Sequence, residues 1–502
     1  MSAQDPHPTR IAVLPPDERP NTAGYAQQIG ACCGAEVILP PAPLMPRFRE
    51  PADRDALAAW LREIDPSADA HVISLDLLVH GGLVPSRLTH DRLGDAIPRL
   101  EVLRELSAPI SAYQVVTRLP HYDNSSRSRQ EPEYWSTHGR KMFALSQAWD
   151  RYARGEVETD EVDTALADVP TEFRHDLVLR RLRNHAVNLA ALELAAEGTV
   201  TDLMLTSDDT APRGLPAGDR AALSTWNQRL ETGALLYPGA DEVPSVLVAR
   251  AVASARGITP RIYVCSPDAE GLQRTALYED APIDVGIDRQ IRALGAERVG
   301  SAGDADLVLM VHAPSMEPGD WTGAPITQDS TAASALVAAE TIDHIAAGRR
   351  VALADVRYAN GSDPTLLTML DEACALSRLE AYGGWNTAGN TVGTTLAAGV
   401  SALLDDGETA TAARRRFLFA KIIEDGYYLP TLRVQLQQEF RDRGLAEPPL
   451  DELPALGERV ARDVTSWASG VHALRGVQVT NVSWPREYLF TIDFDVDAER
   501  AP

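Results

Sequence analysis

Short runs of apolar and β-branched residues recur along the chain, and longer stretches with apolar positions at helical spacing lie between them. The runs are IAVL (11–14), HVISLD (71–76), ISAYQVV (110–116), DLMLTS (202–207), RIYVCS (261–266), DLVLMVH (306–312), VALADV (351–356) and EAYGG (380–384). Helix patterns such as DRDALAAWLREI and TAASALVAAETIDHIAAG separate them, the second ending at Gly348 as a helix C-terminus does. Strands that are apolar throughout mark a parallel sheet covered on both faces. Eight strand–helix units predict an α/β fold, a (β/α)8 TIM-type barrel over 1–400. An open doubly wound sheet is the alternative, because EVILPP (36–41) could supply a ninth strand.

Two stretches interrupt the alternation. Segment 121–200 is a long helical insertion after the third strand, with an apolar stripe in EFRHDLVLRRLRNHAVNLAALELAAEG. After about residue 400 the strand–helix rhythm stops, and RRRFLFAKIIEDGYYLPTLRVQLQQEF is helical in pattern with Pro430 interrupting it. EYLFTIDFDVDA alternates like a strand. Residues 401–502 are therefore expected to form a mainly helical C-terminal extension ending in a strand.

Polar chemistry gathers just after the strands. PPDERPN follows the first, LLVHGGLVPSR the second, SDDTAPRG the fourth, RYANGSDP the seventh and GGWNTAGNT the eighth. In parallel α/β folds this is the ligand-binding edge, so the one-sided distribution predicts an enzyme. Asp208 and Asp209 are the sharpest feature. Both can face a pocket where the strand turns, and two close carboxylates favour one holding a proton. One acid and one base suit glycosidic cleavage; an Asx turn capping the next helix is the plain alternative.

Asn360, Asp363 and Asn386 carry groups suited to sugar hydroxyls, and Tyr358 and Trp385 could give a ring an apolar platform, although NG and GN pairs also mark turns. Asp17, Arg19 and Arg87 could contact substrate or form ion pairs, and Gly81 and Gly82 could admit a ligand to the backbone or simply turn the chain. Asp241 and Glu242 in YPGADEV are further acids or helix caps. His80, His121 and His312, with Asp17, Asp76 and Asp208, are too scattered for a recognisable metal motif. No metal or other cofactor is expected.

Composition narrows the class. The hydrophobic fraction of 44% supports a large core, and a net charge of −25 argues against nucleic-acid binding. No apolar run is long enough to span a membrane, and MSAQDPHPTRIAVLPP lacks the pattern of a signal peptide. Cys32, Cys33, Cys265 and Cys374 have no metal-type spacing and read as reduced, which predicts a cytoplasmic protein. The only lysines are Lys141 and Lys421, which argues against Schiff-base chemistry. The expected partner is a small carbohydrate, and self-association into a homo-oligomer is compatible with the sequence.

The set LPPDERP, GGLVPSR, SDDTAPRG, PGADEV, RYANGSDP and GWNTAGNT resembles that of a bacterial family known mainly as a domain of unknown function; the match covers nearly the whole chain. More remotely, DLMLTSDDTAPRG resembles the strand-4 Asp–Asp element of the family 84 glycoside hydrolases, the O-GlcNAcase-type β-N-acetylglucosaminidases. That resemblance implies a barrel and substrate-assisted cleavage of N-acetylhexosaminides. Asp208 would orient the acetamide, Asp209 would move the proton, and Asn360, Asp363 and Asn386 would hold hydroxyls. The Asn-to-Asp spacing is shorter here, Thr-Ala-Pro-Arg-Gly follows the pair in place of Ile-Ser-Gly-Glu-Gly, and no lysine stands near the second strand.

Overall fold

The computed structural model describes residues 8–123, 130–208, 211–321 and 328–498. Six strands form the first sheet: β1 (Arg10–Leu14), β2 (Glu36–Ile38), β3 (Ala70–Ser74), β4 (Ile110–Val116), β5 (Asp202–Ser207) and β6 (Leu235–Pro238). Their spatial order is β2-β1-β3-β4-β5-β6, with parallel pairing from β1 through β6. Five more form the second: β7 (Arg261–Cys265), β8 (Glu297–Arg298), β9 (Leu307–His312), β10 (Val351–Asp355) and β11 (Ala381–Gly383). These run β11-β10-β9-β7-β8. Counted from its own first strand, the second sheet repeats the 2-1-3-4-5 order of the first. This is the order of a doubly wound fold, whose ligand crevice lies where the order reverses.

The α/β class and its parallel, helix-covered strands hold. All eight expected strands are present within a residue or two, and EVILPP contributes the edge strand β2. Among the described residues the pairing traces two parallel sheets, of six and five strands. β4, β9 and β10 are buried along their whole length, as strands between two helical layers must be. The insertion after β4 is helical as expected, in Trp135–Ala153, Thr159–Ala167 and Thr171–Ala196.

The chain divides into two compact units, one made of Arg10–Glu18 and Ile38–Pro244, the other of Arg19–Val37 and the chain from Ser245 on. Residues 401–498 fall in the second of these units. Val308, Leu353 and Tyr382 of the second sheet share one apolar core with Phe419, Leu436, Val460 and Leu489, so the C-terminal helices complete that unit. Burial of one common apolar face ties these helices to the second sheet. In the first unit Leu14, Ile73, Ala112 and Leu205 meet Leu61, Leu103, Val187 and Leu192 in a separate core. β12 (Gln478–Ser483) and β13 (Asp493–Asp497) close the chain as an antiparallel hairpin, where the sequence shows a terminal strand.

Candidate functional site

At the carboxyl edge of the first sheet, charge is gathered and paired. Asp208, one residue beyond β5, accepts from Arg87 Nη2 at 2.7 Å and lies 3.5 Å from Arg118 Nη1. Arg87 follows the short turn after helix Leu75–His80, and Arg118 stands two residues past β4. The same guanidiniums hold Glu131, at 3.5 Å from Arg87 and 3.0 Å from Arg118, and both reach Gln130 Oε1. Two carboxylates thus share two arginines, geometry in which charge-assisted bonds are strong. Asp208 keeps 19% of its side chain exposed.

Deeper along this edge lie more acids. Asp76 accepts the Val115 N–H at 2.9 Å, and burial pushes its carboxyl up to about 7, although that bond and the charges of Arg87 and Arg183 oppose the rise. Tyr113 on β4 is raised well above its ordinary value by burial, with Asp76, Asp17 and Asp241 adding to the effect. Asp17, Asp241 and Glu242 are themselves buried, and Glu242 accepts the Ala240 N–H at 2.9 Å. His80 is buried without a hydrogen-bond partner among the described residues, and burial lowers its basicity. Gly81 (φ +80°) ends helix Leu75–His80, and a Cβ there would press on Pro51 and the Ala52 backbone. Gly82 (φ +135°) sits against Pro46 and Pro85, so the pair serves helix termination and close packing.

The second sheet has its own carboxyl edge. His312 ends β9 beside Asp355, its partner in register at the end of β10. The His312 Nδ1 lies 3.0 Å from Asp355 Oδ1, which also accepts the Arg357 N–H at 3.2 Å; Oδ2 accepts the Asp363 N–H at 2.7 Å. Asp363 is the N-cap of helix Pro364–Glu372, bonding Thr365 N at 2.9 Å through one oxygen and Ser334 and Ser330 through the other. Asn360 (φ +63°) gives its amide to Asp320 at 3.0 Å and its N–H to the Asn386 carbonyl; Asn386 is itself left-handed (φ +61°). Tyr358 bonds Ser330 at 3.1 Å and meets Trp321 edge-on. Trp385 is buried in the core against Phe490.

Beneath Trp385 lies a buried cluster that the sequence did not single out. Lys421 Nζ pairs with Asp425 at 2.8 Å and Glu424 at 3.4 Å, and bonds Tyr25 Oη at 2.8 Å, while Tyr25 donates to Glu424. Asp425 caps the Gly384 N–H at 2.8 Å and is pushed up to about 7 by burial against the pull of Lys421. Glu424 and Asp425 begin a π-helical stretch, Glu424–Leu432, that contains Pro430; the missing proline N–H suits this wider winding.

The expected site residues therefore fall into two groups. Asp17, Gly81, Gly82, Arg87 and Asp208 belong to the first unit; Arg19, Tyr358, Asn360, Asp363, Trp385 and Asn386 belong to the second. Arg19 starts the π-turn Pro20–Gly24, its carbonyl accepting from Thr22 and Ala23. Asp209 lies outside the described residues. His121 is exposed and packs against Phe143. Arg118 had a visible signal in TRLP directly after β4, whereas Glu131 had none. No group of three or more His, Cys, Asp or Glu side chains poised for a metal occurs among the described residues.

Two parallel sheets in an α/β chain, each with polar side chains at its carboxyl edge, define the class of protein. The chain belongs to the family described as protein of unknown function (DUF4127), whose model matches residues 11–495. No curated protein and no solved structure matches it.

Proposed function

We propose that the chain is a retaining hydrolase of small N-acetylhexosaminides, with its chemistry at the carboxyl end of β5. The observation that supports this is Asp208, fixed at the strand end by Arg87 and Arg118 yet partly exposed. A carboxylate fixed in place by two guanidiniums and partly exposed suits orienting a 2-acetamido N–H. The acetamide oxygen would attack the anomeric carbon, the glycosidic C–O bond would break, and Asp209 would protonate the leaving oxygen. Asp209 would then take a proton from the water that opens the oxazoline, retaining configuration. Its part rests on its place beside Asp208 in the sequence.

A closed barrel is not required, since barrels and open doubly wound sheets both present strand carboxyl ends to ligands. The second-unit residues Tyr358, Asn360, Asp363, Trp385 and Asn386 are left out of this chemistry because caps, turns and core packing already engage them. Free cysteines support a cytoplasmic setting, and no described helix is long and apolar enough to cross a membrane. A metal-dependent hydrolase is the alternative that a chelator tests, although no group of three or more His, Cys, Asp or Glu side chains poised for a metal occurs among the described residues. A panel of aryl glycosides assayed with and without chelator separates the two. Turnover of the N-acetylglucosaminide that survives chelator supports the first; inactivity on the whole panel sinks it.

A further inference from the structure

In the first unit a small cavity lies under the helical insertion, beside the carboxyl edge of the sheet. It holds about 30 Å³, room for one monoatomic ion or a water or two, and too little for a sugar or a phosphate. Four arginines line it, Arg87, Arg118, Arg180 and Arg181, against one carboxylate, Glu131. Helix Thr171–Ala196 is fastened over it by hydrogen bonds. Arg181 gives Nη1 to the Thr117 carbonyl at 2.8 Å. Asn184, nearly one turn on, gives its amide to the Ser86 carbonyl at 3.0 Å and to Thr117 Oγ1 at 2.8 Å.

The residues around this cavity keep donors that nothing receives. Arg87 gives Nη1 to Gln130 and Glu131 and Nη2 to Asp208, yet its Nε is buried without a partner. Arg181 is 6% exposed and pairs with Asp219 at 2.7 Å through Nε, which leaves Nη2 open. Trp135, 2% exposed, opens helix Trp135–Ala153 with its indole N–H unpaired, and Arg180 Nε is unpaired as well. Each buried, unsatisfied side-chain atom of the lining residues is an N–H donor, and none is an acceptor. A buried water would accept from them, but it has two protons of its own to place. An anion only accepts, and guanidinium and indole N–H groups are the donors that suit it. Burial disfavours the charge on Arg181 even with Asp219 opposing, which an anion alongside would relieve.

We propose that this cavity is a binding site for one chloride-sized anion, held by Arg87, Arg181 and the Trp135 indole. Larger, multi-atom anions are excluded by volume. The ion joins the turn after helix Leu75–His80 to the start of Trp135–Ala153 and the middle of Thr171–Ala196, so occupancy locks the insertion onto the sheet edge. Arg87 also holds Asp208, but the site does not depend on the carbohydrate chemistry proposed at β5. Its test reads binding rather than turnover, so the two readings fail separately.

Crystals of the full chain soaked in sodium bromide test this without any variant: one anomalous peak is expected inside the cavity. In solution, thermal unfolding in sodium chloride is compared with sodium gluconate at equal ionic strength, which matches screening while gluconate is too large to enter. The unfolding midpoint in chloride should rise above that in gluconate and saturate, as for a ligand that binds only the folded chain. Arg181→Gln should weaken the apparent chloride affinity about tenfold or more, and Trp135→Phe, which keeps a ring but removes the N–H, by less. The readout is the dependence on chloride, so a variant of lower stability still reports. No bromide in the cavity, equal midpoints in chloride and gluconate, or a chloride dependence unchanged in both variants overturns the proposal.

Discussion

The two sheets share a strand order but treat charge at their carboxyl edges in opposite ways. In the first unit Arg87 and Arg118 are matched by Asp208 and Glu131, so removal of any member leaves another stranded. In the second, Asp355 and Asp363 accept from N–H and hydroxyl donors, while no carboxylate pairs with Arg357 among the described residues. The lesson is that topology places polar residues at an edge but does not decide their use. Whether a strand-end acid pairs, caps a helix or orients a histidine depends on which side chains the crossovers bring beside it.

Four experiments can break or sharpen this contrast. The largest effect is expected from Asp208→Asn and Asp209→Asn, each lowering turnover of an aryl N-acetylglucosaminide by about 10²–10⁴-fold. Full activity in either variant removes the first edge from the chemistry. Next comes stability. Arg118→Ala should cost about 1–3 kcal/mol in denaturant unfolding by leaving Arg87 alone to balance Glu131 and Asp208, whereas Arg357→Gln should leave stability unchanged or raise it. Equal losses would erase the contrast between a paired and an unpaired arginine.

Asp363→Ala should cost about 1–2 kcal/mol through loss of its cap, with no change in KM. A raised KM at unchanged stability would instead return Asp363 to a substrate-holding role. The smallest effect concerns pH. Because burial raises the Asp76 carboxyl from 3.8 to about 7, its folded state binds the proton more tightly than the unfolded chain does. Its contribution is full below the unfolded value and is lost as pH rises through about 7. Unfolding midpoints measured across that interval should fall in the wild type, and Asp76→Asn should flatten the slope.

Much of the fold was legible because parallel strands buried on both faces leave continuous apolar runs. The eight runs from IAVL to EAYGG became β1, β3, β4, β5, β7, β9, β10 and β11. β6, LLYP, is only four residues long, and β8 is a two-residue edge pairing, too short to leave a pattern. Spatial order was not legible, since nothing in a run of Val and Leu says which neighbour it will pair with. At the site, the position of Asp208 followed from the end of DLMLTS. Its partner Glu131 lies 77 residues upstream, on a segment with no motif of its own. The capping role of Asp363 was written in the sequence, because Asp followed by Pro and an apolar helix is a helix start. Left-handed Asn360 and Asn386 likewise follow the turn chemistry of NG and GN-rich loops.

The scarcity of lysine gives the cluster around Lys421 an experimental consequence. Lys141 is exposed, whereas Lys421 is 1% exposed and sealed by Tyr25, Glu424 and Asp425. An amine-directed acylating reagent should therefore mark Lys141 at once and reach Lys421 only when the surrounding helix opens. Two peptides in a mass spectrum would then serve as a clock and its reference, timing how often the second unit breathes without any label or mutation.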